Sequence, residues 1–156
     1  IRQFEDTLSE EGYHGLHVSQ EVVTDNAQYY TVKLSVLETE ASGYEHNQFY
    51  TIDKQTGNVV ALADLFAEGS NYISVISENI KTQMREQMVA DEGVIYFLDD
   101  EDMTEFNFQS ITEQTNFYFN ESGELVIAFD EYEVAPGYMG APEFVIPQKV
   151  TAGLLK

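Results

Sequence analysis

A chain of 156 residues, 43% of them apolar, can close one hydrophobic core, so a single domain spanning 1–156 is expected. Its 28 acidic residues against 7 basic ones give a formal charge of -21, which repels phosphate backbones and anionic lipid and removes nucleic acid from the expected partners. With no cysteine, disulfides and thiolate metal sites are excluded, and no apolar run reaches the roughly 18 residues that a membrane span needs.

In chain order, Ile1, Phe4 and Leu8 stand at helical spacing before Gly12 and predict a short helix over 1–11. The opening lacks the basic-then-apolar layout of a signal peptide and starts at Ile1 instead of Met, which fits a processed chain or an excised piece and leaves room for an anchor or partner domain upstream. From Leu16 the pattern turns extended. Tyr30, Val32, Leu34 and Val36 alternate with polar or small residues, and Asp25-Asn26 turns between strands near 16–24 and 28–40. Ala41-Ser42-Gly43 marks a break. Phe49, Tyr50 and Ile52 form the next strand, and Lys54-Gln55-Thr56-Gly57 turns it into 58–62.

Asp64 is placed to cap a single turn with Leu65 and Phe66. Ser70 is placed to cap the main helix, about 70–90, whose stripe is Ile73, Ile76, Ile80, Met84 and Met88. Val94 to Leu98 fits strand or helix. Phe117 and Phe119, the Glu121-Ser122-Gly123 turn and the apolar run 125–129 predict a hairpin with a buried central strand, and Phe144-Val145-Ile146 a last short strand. Strands before and after one long helix predict an α+β fold, a mostly antiparallel sheet with that helix on one face.

The charge is uneven. No Lys or Arg stands between Arg85 and Lys149, so the C-terminal half carries the negative field. That field attracts a basic protein, a polyamine or a divalent cation, and salt weakens it; solubility alone accounts for it equally well. His14, His17 and His46 lack metal-ligand spacing, and Asp99-Asp100-Glu101-Asp102 lacks the ligand pattern of a calcium loop, so no metal or other cofactor is expected. The cluster Asp130, Glu131 and Glu133 has no special claim as a catalytic pair among so many acids, and no nucleophile elbow, phosphate loop or His-Glu-x-x-His motif occurs. A non-enzyme is expected.

Tyr132 to Pro142 departs from strand logic, because Pro136, Gly137, Gly140 and Pro142 forbid a regular ladder while a Tyr and a Met stand between them. Pro136, Gly137, Tyr138 and Met139 are the candidate ligand-binding residues: a stiff loop loses little entropy on docking, and Tyr offers apolar area with a polar end. A crossover loop with Tyr138 tucked inward fits the same residues.

The run Asn116-Phe117-Tyr118-Phe119 through Phe129-Asp130-Glu131-Tyr132-Glu133-Val134-Ala135-Pro136-Gly137-Tyr138 to Phe144-Val145-Ile146-Pro147, with Phe49 to Gly57 and Ala63-Asp64-Leu65-Phe66, resembles a bacterial extracytoplasmic domain of unknown function. That domain occurs in RsiV-type, lysozyme-sensing anti-sigma factors and in PdaC-type peptidoglycan deacetylases. The resemblance implies a non-catalytic domain at the cell surface, tethered in the full-length protein, whose ligand is a basic protein such as c-type lysozyme. It places that family's Pro-x-Tyr contact on Pro136 and Tyr138. The alternative it leaves is an accessory domain binding cell-wall glycan, with exposed tyrosines stacked on sugar rings.

Overall fold

The computed structural model describes residues 15–39 and 43–156. The predicted helix over 1–11, His14, and Ala41 and Ser42 of the predicted break lie outside the described residues.

Alternating β-branched and polar residues suit a pleated surface, and three strands of equal length follow: β1 (Gly15–Asp25), β2 (Tyr29–Thr39) and β3 (Gly43–Asp53). They form an antiparallel meander with Val18 opposite Val36 and Val36 opposite His46, and a bulge between Val22 and Thr24. Asn26 makes the first turn by accepting the backbone N–H groups of Gln28 and Tyr29 at 2.9 and 2.7 Å. After the turn at Gly57, whose φ of 72° suits glycine, β4 (Val59–Val60) pairs only with Thr51 and Ile52.

The main helix α1 (Tyr72–Ala90) buries Ile76, Ile80 and Met84 completely, with Ile73 and Met88 packed at the margin, as the predicted stripe requires. The caps differ from expectation. Asn71 stands at the N-cap without a side-chain bond, and the buried Ser70 hydroxyl has no partner among the described residues. Asp64 does not start its turn. It sits inside the 3₁₀ turn Leu62–Leu65 and reaches back to accept the Ala61 N–H at 2.9 Å, because burial of both Leu62 and Leu65, which eclipse at i and i+3, fixes where the turn begins. Val94 to Leu98 is neither strand nor helix. Tyr96 and Leu98 turn into the core while Phe97 bonds through its backbone to Val134 and Phe108, so the segment crosses other irregular chain.

A second sheet holds β5 (Phe117–Phe119), β6 (Leu125–Ala128) and β7 (Glu143–Ile146) in the order β5-β6-β7, all antiparallel. All four residues of the central β6 are buried, and Gly123 at φ 76° turns the predicted hairpin. The α+β class stands. The strands divide between two sheets, and α1 packs with β7 of the smaller one. Between them lies the apolar core, with Ile76, Ile80, Met84, Ile127, Phe144 and Ile146 at its centre and Phe129 edge-on to Phe108 and Phe144.

The inward face of β1–β3 is different in kind. Thr24, Thr31, Asn47 and Thr51 are buried there beside Phe49. Thr31 and Thr51 share a hydroxyl bond at 2.8 Å, Ser35 donates to Asn47 at 2.6 Å, and Thr24 donates to the Phe119 carbonyl at 2.7 Å. Tyr29 stacks on Phe119 and Phe49 on Tyr118, closing the seam between the sheets. No helix among the described residues is long and apolar enough to cross a membrane.

Candidate functional site: an aromatic ridge over a polar cleft

Beyond β4 the edge of β3 has no neighbouring strand among the described residues, so its backbone groups need other partners. Side chains supply them. The N–H groups of Glu45, Asn47 and Phe49 donate to Glu131 Oε2 at 3.2 Å, Asp130 Oδ1 at 2.8 Å and Asn116 Oδ1 at 3.2 Å. Asn116 returns an N–H to the Asn47 carbonyl at 3.0 Å, and His46 Nδ1 meets Asp130 Oδ2 at 2.5 Å. The carboxylates that sequence left without a role are thus a clamp holding β3 to the end of β6.

After β6 the chain makes a tight turn in which Glu133 donates its N–H to the Asp130 carbonyl at 3.2 Å and accepts the Asp130 N–H on its carboxylate at 2.8 Å. Tyr132 is left in the left-handed region at φ 64°, a strained state for a bulky residue that costs about 1–3 kcal/mol. Its ring lies against Gly137: a Cβ there would stand 2.4 Å from Tyr132 Cζ, so any side chain at 137 displaces the exposed Tyr132 ring. The same ring faces Tyr44 of β3 at 6.4 Å and 26°. Tyr44 and Tyr132, 42% and 58% exposed, face each other, and Tyr138, 66% exposed, follows Gly137 in the chain; these three exposed tyrosines make up the aromatic ridge.

Of the four predicted residues, Tyr138 is the exposed one, on a 3₁₀ turn (Gly137–Met139) that follows Pro136. The inward reading of Tyr138 does not hold. Its hydroxyl donates to the Gly93 carbonyl at 2.9 Å, which fixes the ring without burying it. Pro136 and Gly137 are half-buried, and Met139 packs against the core and anchors the loop. Phe129 N–H to Pro142 carbonyl at 2.9 Å closes the loop at its base. Sequence reasoning missed Tyr44 and Tyr132 as site residues; the only signal was that Tyr132 opens the segment 132–142.

Below the ridge lies a cleft of about 690 Å³, walled by residues 44 and 46, 106–116 and 128–134. Among the described residues no Lys or Arg lines it. Burial raises the Glu133 carboxyl above its ordinary range, and the nearby Asp130 charge adds to this. Burial followed by the surrounding carboxylates likewise raises the Tyr44 hydroxyl. His17 is exposed on β1, His46 is engaged by Asp130, and among the described residues no group of three His, Asp or Glu side chains is placed to hold a metal ion. The acidic stretch 99–102 is a surface turn, with Asp99 held below the usual carboxylate range by its hydrogen bonds to Arg85 and Asp100 accepting the N–H groups of Asp102 and Met103.

Two small antiparallel sheets, one long helix and a loop-borne aromatic ridge define an acidic α+β domain whose distinctive chemistry lies at its surface. Residues 63–149, more than half of the chain, match the family described as "Protein of unknown function (DUF3298)", and the chain belongs to that family. It is 42% identical over 147 residues to the Anti-sigma-V factor RsiV of Bacillus subtilis (strain 168), which makes it a DUF3298 domain of the RsiV type. That match takes in 94% of this chain and 50% of the relative, so the chain spans half the length of the curated protein it matches. The crystal structure of a DUF3298 family protein from Pseudomonas aeruginosa PAO1 shares the fold with a TM-score of 0.73 at 22% identity, over 99% of this chain and 67% of that one. A DUF3298 member from Bacteroides fragilis NCTC 9343 does so with a TM-score of 0.65 at 18% identity, over 99% and 60%.

Proposed function

We propose that the domain is the non-catalytic, extracytoplasmic ligand-binding part of an anti-sigma-factor-type sensor, and that its ligand is a basic protein such as c-type lysozyme. The observation that carries this reading is the ridge of Tyr44, Tyr132 and Tyr138, large exposed aromatics held by Gly137, a strained turn and the Gly93 carbonyl. Rigid aromatics of this kind supply contact area at little entropic cost and are frequent anchors of protein interfaces. The charge of -21, concentrated where no Lys or Arg interrupts it, has the sign that steers a basic partner. A non-catalytic role agrees with carboxylates already spent on backbone N–H groups.

Calorimetric titration with a basic c-type lysozyme at low and moderate salt tests the reading, with an unrelated basic protein of similar charge as control. Binding of lysozyme alone is expected, weakened roughly five- to thirtyfold by Tyr138→Ala, the factor that corresponds to losing about 1–2 kcal/mol at an anchor. Equal binding of both proteins, or none of lysozyme, would overturn it.

A further inference from the structure

We propose that the cleft below the ridge is a second ligand site, sharing Tyr44 and Tyr132 with the ridge, that takes a neutral glycan of a few pyranose rings. Three observations lead there. The cleft, at about 690 Å³, falls within the roughly 300–1,000 Å³ of small-ligand sites. Its lining carries exposed aromatics: the Tyr44 and Tyr132 pair, and Phe106, 58% exposed at the end of a 3₁₀ turn. Phe106 has no place in the core cluster, so packing does not explain it. A pyranose ring presents an apolar C–H face suited to such aromatics and a hydroxyl edge that needs both donors and acceptors.

The polar lining meets the second need. The side chains of Ser110 and Gln114 have no hydrogen-bond partner among the described residues, and His46, with Nδ1 on Asp130, keeps Nε2 for a ligand. A hydroxyl, an amide and an imidazole supply both donors and acceptors. A cationic ligand is the weaker match, because the carboxylates of the cleft already accept the N–H groups of Glu45, Asn47 and Asp130. An anionic ligand would meet no Lys or Arg among the described residues. Tyr44 and Tyr132 belong to both the ridge and the cleft, and Tyr138, which does not line the cleft, tells the two ligands apart.

The test is a titration of the ¹⁵N-labelled domain, without lysozyme, with the tetramer of N-acetylglucosamine and, in parallel, with maltotetraose and spermidine. Saturable amide shifts in 44–46, 106–116 and 130–133 with at least one sugar are expected, insensitive to salt. Phe106→Ala should weaken the sugar roughly fivefold or more, and Gln114→Ala should weaken it too, while Tyr138→Ala leaves it unchanged. Neither sugar producing saturable shifts would overturn the proposal. So would sugar binding indifferent to both cleft variants, or saturation of the same amides by spermidine alone.

Discussion

The two sides of the second sheet are built by different chemistry. Against α1 the contact is apolar, with Ile76, Ile80, Met84, Ile127 and Ile146 at or near zero exposure. Against β1–β3 it is a seam of a threonine hydroxyl, asparagines and carboxylates joined by hydrogen bonds, with two stacked aromatic pairs and, inside the first sheet, the Thr31–Thr51 bond behind it. Apolar burial is non-directional and tolerates adjustment; a hydrogen-bonded seam holds only when each group meets its partner. The first side therefore supplies most of the stability. The second sets where β3 stands relative to the turn 130–133, and so aligns Tyr44 with Tyr132.

The contrast can be broken most forcefully on the apolar side. Ile127→Ala removes a fully buried side chain and should cost about 2–5 kcal/mol, read as a lower urea midpoint for the whole domain. On the polar side, Asn116→Ala strips partners from the Phe49 N–H and the Asn47 carbonyl. About 1–3 kcal/mol is expected, with hydrogen exchange quickening chiefly in 45–49 and not throughout. Thr31→Val leaves the Thr51 hydroxyl buried and unpaired, so it should destabilise, whereas the double variant with Thr51→Val should recover much of the loss in the same denaturation assay.

Smaller effects sharpen the picture at the site. Gly137→Ala forces the Tyr132 ring away, so it should weaken the protein ligand in calorimetry even though Ala is the smallest possible addition. Glu133→Gln tests the turn through pH. The folded-state carboxyl lies above its ordinary 4.5, so between that value and the raised one the folded protein holds more protons than the unfolded chain. This group's contribution to stability is present at lower pH and is lost as pH rises through that window. Relative to Glu133→Gln, the wild type should therefore lose urea stability on moving upward through the window, by a small amount because the residue is only partly shielded from solvent.

The apolar side was legible in the sequence because its signals are periodic. The stripe from Ile73 to Met88 and the run from Leu125 repeat at helical and strand spacing, and both elements stand where those periods put them. The loop 136–140 was legible from Pro and Gly, and Tyr138 stands exposed on it. The seam was not. Its bonds join Asn47 to Asp130 and Phe49 to Asn116 across more than 60 residues, and one carboxylate among 28 acids carries no mark of its partner. Tyr132 was hidden for a related reason: nothing in a sequence announces a tyrosine in the left-handed region, since the strain is imposed by the turn and by the glycine beneath it. The division into two sheets follows from the same seam, where side chains take the place a continuing strand would occupy.

The central claim is that the aromatic ridge is the ligand-contacting surface, and the most direct measurement is the hydrogen-exchange footprint of bound c-type lysozyme on the domain. Protection concentrated in 43–47 and 130–140, with α1 and the acidic turn 99–102 unchanged, is the predicted result. Protection confined to those acidic surfaces, or to the exposed face of β1 around Val18 and Val22, with 130–140 unaltered, would contradict it.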